Sequence, residues 1–214
     1  MKKSRLQPSW VKSTKSVRFR QLYRFYEGKD ILDIGCAVGY KKEDWMHKNI
    51  KAVANSIVGM DLDSKSVEEI RKMGFDVEQG NAQDFNINRK FNLVHAGELI
   101  EHLDNPGGFL ESVKRHLSED GVLLMTTPNA LRISNVIYAS TGGLKVNAEH
   151  TCWFCDTTIT TLLQRKGFEV IEIGYLKHET FGALRKLMLT LRAFFLPDRV
   201  AWNTLYVAAR IKHN

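Results

Sequence analysis

The stretch Ile31-Leu32-Asp33-Ile34-Gly35-Cys36-Ala37-Val38-Gly39 decides how this chain folds. Two apolar residues and Asp33 end a buried strand. The small residues at 35, 37 and 39 then carry the backbone round a tight loop in which main-chain N–H groups can come close to a ligand. Before it, Phe19, Leu22, Tyr23 and Tyr26 recur at i, i+3, i+4 and i+7, with Arg18, Arg20, Gln21 and Arg24 between them. That spacing predicts an amphipathic helix packed on the domain from outside. Gly28 ends it, and the strand 30–33 follows.

After the loop, Met46, Ile50 and Val53 mark one face of a helix, and 56–62 reads as a second strand carrying Asp61 near its end. Residues 64–73 read as a helix with Ser64 as its N-cap and Gly74 as its stop. Short strands follow at 75–78 and 91–96. Phe109, Leu110, Val113 and Leu117 mark a further helix, and 121–127 is a fifth strand ended by Pro128. A helix over 157–166 stops at Gly167, and 168–175 and 204–211 read as two late strands. Strands alternating with helices imply a parallel sheet covered on both faces, in one α/β domain over residues 1–214. Residues 1–29 form an N-terminal helical extension. Residues 177–203 form a helical insertion between the last two strands, with Leu184, Leu187, Met188, Leu191 and Phe195 at helical spacing.

Composition narrows the classes. No apolar run approaches the ~18 residues of a transmembrane helix, and the basic start Met1-Lys2-Lys3-Ser4-Arg5 lacks an apolar signal core. Three cysteines, an odd number, fit a reducing compartment, so a cytoplasmic location is expected, with peripheral contact to the inner face of a membrane open through residues 184–202. Residues 1–30 hold nine Lys/Arg against Glu27 and Asp30, and residues 177–214 hold seven against Glu179 and Asp198. The centre holds 15 basic and 20 acidic residues. Basic ends suit an anionic surface or substrate, or simply a solvated surface.

Three elements converge where the strands end: the loop after strand 1, the acid of strand 2, and the polar segment Asn81-Ala82-Gln83-Asp84. A dinucleotide fingerprint would want a third Gly for helix packing against a pyrophosphate. Here the spacing is Gly35-x-Ala37-x-Gly39, and an acid precedes it. This order resembles class I S-adenosylmethionine-dependent methyltransferases over roughly residues 28–176. The resemblance implies a Rossmann-like, mostly parallel seven-stranded sheet with an antiparallel last strand, and S-adenosylmethionine as methyl donor with S-adenosylhomocysteine as product. It implies cofactor contacts from Asp33, Gly35, Cys36, Ala37, Gly39, Asp61, Leu62, Asn81, Ala82, Asp84 and Gly97. Asp33 would face the methionine ammonium group, directly or through a water, and Asp61 the ribose hydroxyls. Asn81 stands where the family often has Asp, with its carbonyl still able to accept from the adenine amino group.

The stretch Glu98-Leu99-Ile100-Glu101-His102 resembles the Glu-x-x-Glu-His signature that several methyltransferase branches carry after strand 4. On a helical turn Glu98, Glu101 and His102 would share one face, and His150 completes the set. These four resemble in type and order a metal-binding set of small-RNA 3′-end 2′-O-methyltransferases, and ubiquinone-biosynthesis O-methyltransferases carry a related signature. They could hold Mg²⁺ or Mn²⁺, or Glu98, His102 and His150 could serve as acid–base groups without metal. His150, Cys152 and Cys155 also form His-x-Cys-x-x-Cys, yet no fourth zinc ligand at matching spacing is evident. The expected function is O-methylation of a small molecule or of a saccharide- or lipid-linked hydroxyl. Ribose 2′-O-methylation of RNA and a non-catalytic cofactor-binding subunit are the alternatives.

Overall fold

The apolar runs of the sequence become the strands of one sheet in a computed structural model that describes residues 9, 11, 16–143, 146–177 and 195–213. The strands are β1 (Asp30–Ile34), β2 (Ser56–Asp61), β3 (Val77–Gln79), β4 (Phe91–Gly97), β5 (Leu117–Pro128), β6 (Phe168–Leu176) and β7 (Thr204–Ile211). Their order is β3-β2-β1-β4-β5-β7-β6. The first five run parallel, and β7 lies antiparallel between β5 and β6. This is the doubly wound sheet with a reversed last strand that the resemblance implied. β1 and β4 are buried almost continuously, as strands covered on both faces must be. Strand order turns back between β1 and β4, and in such sheets the ligand crevice opens beyond the carboxyl ends at that point.

The helices are α1 (Val17–Tyr26), α2 (Met46–Lys51), α3 (Ser64–Lys72), α4 (Pro106–His116), α5 (Ile133–Ser140), α6 (Asp156–Arg165) and α7 (Asp198–Ala201), with a 3₁₀ turn at Ile100–His102. Ser16 caps α1 by accepting from the Phe19 N–H at 3.3 Å, and Phe19, Leu22, Tyr23 and Tyr26 form its buried face. Burial of each such side chain contributes about 1.5–3 kcal/mol, which holds α1 on the sheet. α3 is capped by Asp63, whose carboxylate accepts from the Ser66 N–H, so Ser64 is its first residue and not its cap. A carboxylate is the stronger acceptor at a helix N-terminus. α2 ends before Val53, and Leu117 opens β5 instead of closing α4. α5 has no counterpart in the apolar pattern, because Val136 and Ile137 are exposed and leave no inward stripe.

Of the expected insertion over 177–203, residues 178–194 lie outside the described residues. Its described end is an exposed Phe195, the single turn α7, and a buried Trp202. No helix among the described residues is long and apolar enough to cross a membrane.

One charge sits inside this apolar frame. Asp33 is 3 % exposed, and its two oxygens each meet a buried histidine Nδ1 at 2.7 Å: Oδ2 takes His47 of α2, and Oδ1 takes His95 of β4. Burial alone would push the Asp33 carboxyl up, but the charge and hydrogen bonds of His95 and His47 outweigh it and hold the group well below the usual carboxylate range. A depressed folded-state pKa means stability that is present above the unfolded value near 4 and lost as pH falls toward the folded value. Asp33→Asn is therefore expected to cost about 3–5 kcal/mol in urea unfolding at pH 7, since it leaves two buried imidazoles facing an amide. The same variant should show a flatter loss of stability between pH 5 and pH 3 than the wild type (about the window set by the carboxylate pKa). Equal slopes would remove Asp33 from the acid transition.

Candidate active site

The loop after β1 is sewn to the end of β2. The Gly35 and Cys36 N–H groups donate to the Met60 carbonyl at 2.8 and 3.3 Å. The Ala37 N–H donates to Asp61 Oδ2 at 2.9 Å, and the Asp63 N–H to Asp61 Oδ1 at 3.1 Å. The Cys36 carbonyl accepts from the Trp45 indole at 2.7 Å. Gly35 has φ +77°, and a methyl there would also touch Leu99 at 3.4 Å. Across the crevice, β4 ends at Gly97, and Glu98 takes the left-handed φ of +53°, the one non-glycine to do so among the described residues. Two left-handed residues at the ends of adjacent strands thus turn both chains away and leave an open space between them.

That space is a cavity of about 990 Å³, near the top of the ~300–1,000 Å³ range of small-molecule sites. The ends of β1 to β5 and residues 147–150 enclose it. Gly35, Asp61, Leu62, Asn81, Ala82, Gly97, Glu98, Glu101, His102 and His150 all line it, so most of the residues expected at the site are brought together. Five are not. Asp33 lies outside the lining, and each of its oxygens is hydrogen-bonded to a buried histidine. Cys36 is buried outside the lining, and its thiol is pushed up by burial and by the Asp33 and Asp61 charges. Ala37 and Gly39 do not reach the lining; the Ala37 N–H is spent on Asp61. Asp84 turns outward into an ion pair with Arg115 at 3.0 Å. Asn81 lines the cavity while its side-chain carbonyl accepts from the Gln83 N–H at 3.0 Å, a local turn bond.

The far end carries the titratable groups. The Glu101 carbonyl accepts from the Thr151 and Cys152 N–H groups at 2.8 and 3.2 Å, and the Thr151 hydroxyl donates to the Leu103 carbonyl at 2.9 Å. Those bonds set His150 edge-on to His102, with ring centroids 4.7 Å apart. One ligand atom from each of Glu101, His102 and His150 falls within 4.8 Å of the others. Glu101 is 1 % exposed; Oε2 accepts from the Thr127 hydroxyl at 3.0 Å, and Oε1 has no hydrogen-bond partner among the described residues. Burial first, then the Glu98 charge, push its carboxyl up to about 7. Burial and His102 lower His150, against Glu98 and Glu149.

Glu98 lies outside the set of ligand atoms within 4.8 Å, although its charge acts on Glu101 and His150. The segment after β4 is a left-handed residue followed by a 3₁₀ turn, not one helical face, and this separates Glu98 from Glu101 and His102. Its Oε1 lies 3.4 Å from the Arg18 guanidinium, an ion pair without hydrogen-bond alignment. Arg18 on α1, Thr127 on β5 and the His95–Asp33–His47 bridge are site elements with no sequence signal, because each depends on contacts between distant elements. Glu98→Gly and Glu98→Ala both remove the carboxylate, so the difference between them isolates the backbone. The Gly variant is expected to be more stable by about 1 kcal/mol in urea unfolding. A more stable Ala variant would show that the positive φ is not strained.

The methyltransferase-domain family matches residues 14–173. A Mycolicibacterium smegmatis protein named a probable S-adenosylmethionine-dependent methyltransferase is 28% identical over 157 residues, covering 72% of this chain and 57% of that protein. A ubiquinone biosynthesis O-methyltransferase of Actinobacillus pleuropneumoniae is 32% identical over 114 residues, covering 48% of this chain and 47% of the enzyme. The chain thus spans about half the length of these curated relatives. Among solved structures, an S-adenosylmethionine-dependent methyltransferase from Clostridium acetobutylicum superposes with TM-score 0.63 at 12% identity, covering 95% of this chain and 92% of that one. One from Mesorhizobium loti gives 0.60 at 18%, covering 92% and 98%. At such identities the likeness is one of fold.

Proposed function

The chain belongs to the methyltransferase-domain family of S-adenosylmethionine-dependent enzymes, and on that premise we propose that it methylates an oxygen of a small-molecule or a saccharide- or lipid-linked hydroxyl. The carrying observation is the Glu101–His102–His150 cluster at one end of an acid-lined cavity. Asp61, Asp63, Glu98, Glu101, Asp104 and Glu149 line that cavity, a negative field that suits a sulfonium cation. A ribose whose hydroxyls donate to the Asp61 carboxylate, at the cavity wall, fits this reading. Asp33 and Cys36 also support the loop, through the two histidines on the Asp33 carboxylate and the Trp45 indole on the Cys36 carbonyl.

In the transfer, the sulfonium carbon–sulfur bond breaks as an oxygen–carbon bond forms, the sulfur leaves as a neutral thioether, and the hydroxyl proton passes to a base. The imidazole of His102 or His150 takes that proton at a ring nitrogen. Positioning supplies much of the rate, since the leaving group is already activated. The donor set of one carboxylate and two imidazoles fits a divalent cation, and the unpartnered Glu101 Oε1 leaves a lone pair free for one. A cation held by Glu101, His102 and His150 would lower the pKa of a hydroxyl bound to it. Glu98, in its own ion pair, is left out of that set.

Three measurements test the reading. Mn²⁺ binding, followed by electron paramagnetic resonance, is expected for the wild type and to weaken at least ~10-fold in His102→Ala and in His150→Ala. Transfer of labelled methyl from S-adenosylmethionine to a panel containing catechol, a phenol and an RNA oligonucleotide should label the small hydroxyl compounds. Both His variants should then lose ~10²–10⁴ in rate. Label on the RNA ribose alone would overturn the small-molecule reading in favour of the nucleic-acid one, and full activity of both variants would remove the histidines from the mechanism.

A further inference from the structure

We propose that a small pocket beside the reaction site binds an anionic group of the methyl acceptor, a phosphate or a carboxylate, with Arg132 as the residue that holds it. The inference rests on the methyltransferase reading and deepens it by naming an acceptor class. The pocket, of about 170 Å³, shares Pro128, Asn147 and His150 with the main cavity. A molecule whose hydroxyl lies at His150 can therefore extend into it without leaving the protein.

Charge separates the two spaces. Six carboxylates line the main cavity, whereas none of the described residues lining the side pocket is acidic, and Arg132 is its one guanidinium. Arg132 is also fixed in advance. Its Nε donates to Asn135 Oδ1 at 2.7 Å. Asn135 in turn donates to the Ala130 carbonyl at 3.0 Å and the Asn129 carbonyl at 3.4 Å. Asn129, fully buried, donates to the carbonyls of Trp202 and Arg199 at 2.9 and 2.8 Å. Side-chain oxygens of both Asn residues are also engaged, Asn129 Oδ1 by the Leu131 N–H at 3.0 Å. The amides therefore serve as scaffold, and the two terminal amino groups of Arg132 are left without a partner among the described residues.

A guanidinium held by Nε alone presents two parallel N–H donors, the geometry that pairs with two oxygens of a carboxylate or phosphate. Because its chain is already ordered, little rotamer freedom is lost on binding. Trp153 supplies a half-buried wall against which a ring can lie. The acceptor that fits both spaces is a hydroxyl-bearing ring or sugar carrying its negative charge a short distance from the oxygen to be methylated. A neutral acceptor would leave Arg132 without an anion in a pocket that has no carboxylate among its described lining residues.

The test uses the full chain loaded with S-adenosylhomocysteine and ¹⁵N-labelled, with the Trp153 indole signal assigned through Trp153→Phe. The probes are 4-hydroxyphenyl phosphate, 4-hydroxybenzoate and the neutral 4-hydroxybenzamide. Both anions are expected to shift the Trp153 indole and to bind at least ~10-fold tighter than the amide, as a charge-assisted pair implies. Arg132→Gln should abolish that preference with S-adenosylhomocysteine affinity and thermal midpoint kept, and Arg132→Lys should restore part of it. Tighter binding of the phosphate or of the carboxylate supports the subsite and says which anion it prefers. Binding of both anions no tighter than that of the amide overturns it, as does an unchanged preference in Arg132→Gln. A shift seen only with phosphatidylglycerol vesicles overturns it too, in favour of a lipid surface. Failure of the wild type to bind S-adenosylhomocysteine would strike the functional reading itself, which the anion comparison leaves untouched.

Discussion

A carboxylate buried under the sheet's active end cannot stay charged there unless the protein surrounds it with donors, and that requirement organises this molecule. Asp33 recruits His47 from α2 on one side and His95 from β4 on the other. The His95 ring then takes the edge of Tyr26, with centroids 5.5 Å apart, and the His47 ring tilts against Trp45 at 5.1 Å. Trp45 in turn holds the Cys36 carbonyl. One charge therefore ties α1, α2, β1 and β4 together directly beneath the loop that borders the cavity. Desolvation makes each partner costly to lose, so the contacts stand or fall as a group.

Above that support, the site is shaped by backbone more than by side chains. Gly35 and Glu98 leave their strands in the left-handed conformation, and the gap between them is the mouth of the crevice. The side chains then divide the space by charge, with acids along the main cavity and a guanidinium in the annex. His150 borders both, so a proton-accepting group stands where an acid-lined compartment and a basic one meet.

Much of the fold was legible because parallel strands covered on both faces must be apolar throughout, and glycines and prolines mark their ends. The alternation of strand and helix then left few topologies. Legibility failed where one carboxylate had to be told from another. Asp33 and Asp61 both follow apolar strands, yet one is sealed in and the other faces the cavity; the difference lies in His47 and His95, residues 14 and 62 positions away from Asp33. Ser64 is the expected cap of α3, but the cap is the preceding Asp63, whose carboxylate is the stronger acceptor. The Glu98 spacing read as helical because i, i+3 and i+4 assume regular backbone, and a single positive φ defeats that assumption. α5 was invisible because its apolar residues point outward, and Arg18 because its partner lies across the crevice.

The place of β7 carries a consequence for how the chain is made. It lies between β5 and β6 and is hydrogen-bonded to both along its length, from Val122↔Arg210 to Pro128↔Thr204 on one side and from Phe168↔Ile211 to Leu176↔Thr204 on the other. On the ribosome, β6 emerges before the strand that joins it to the sheet. Until β7 follows, β5 presents an open apolar edge and β6 has no sheet neighbour at all. A nascent chain stalled at that stage would expose two pairing edges at once, the condition in which unpaired strands associate between molecules.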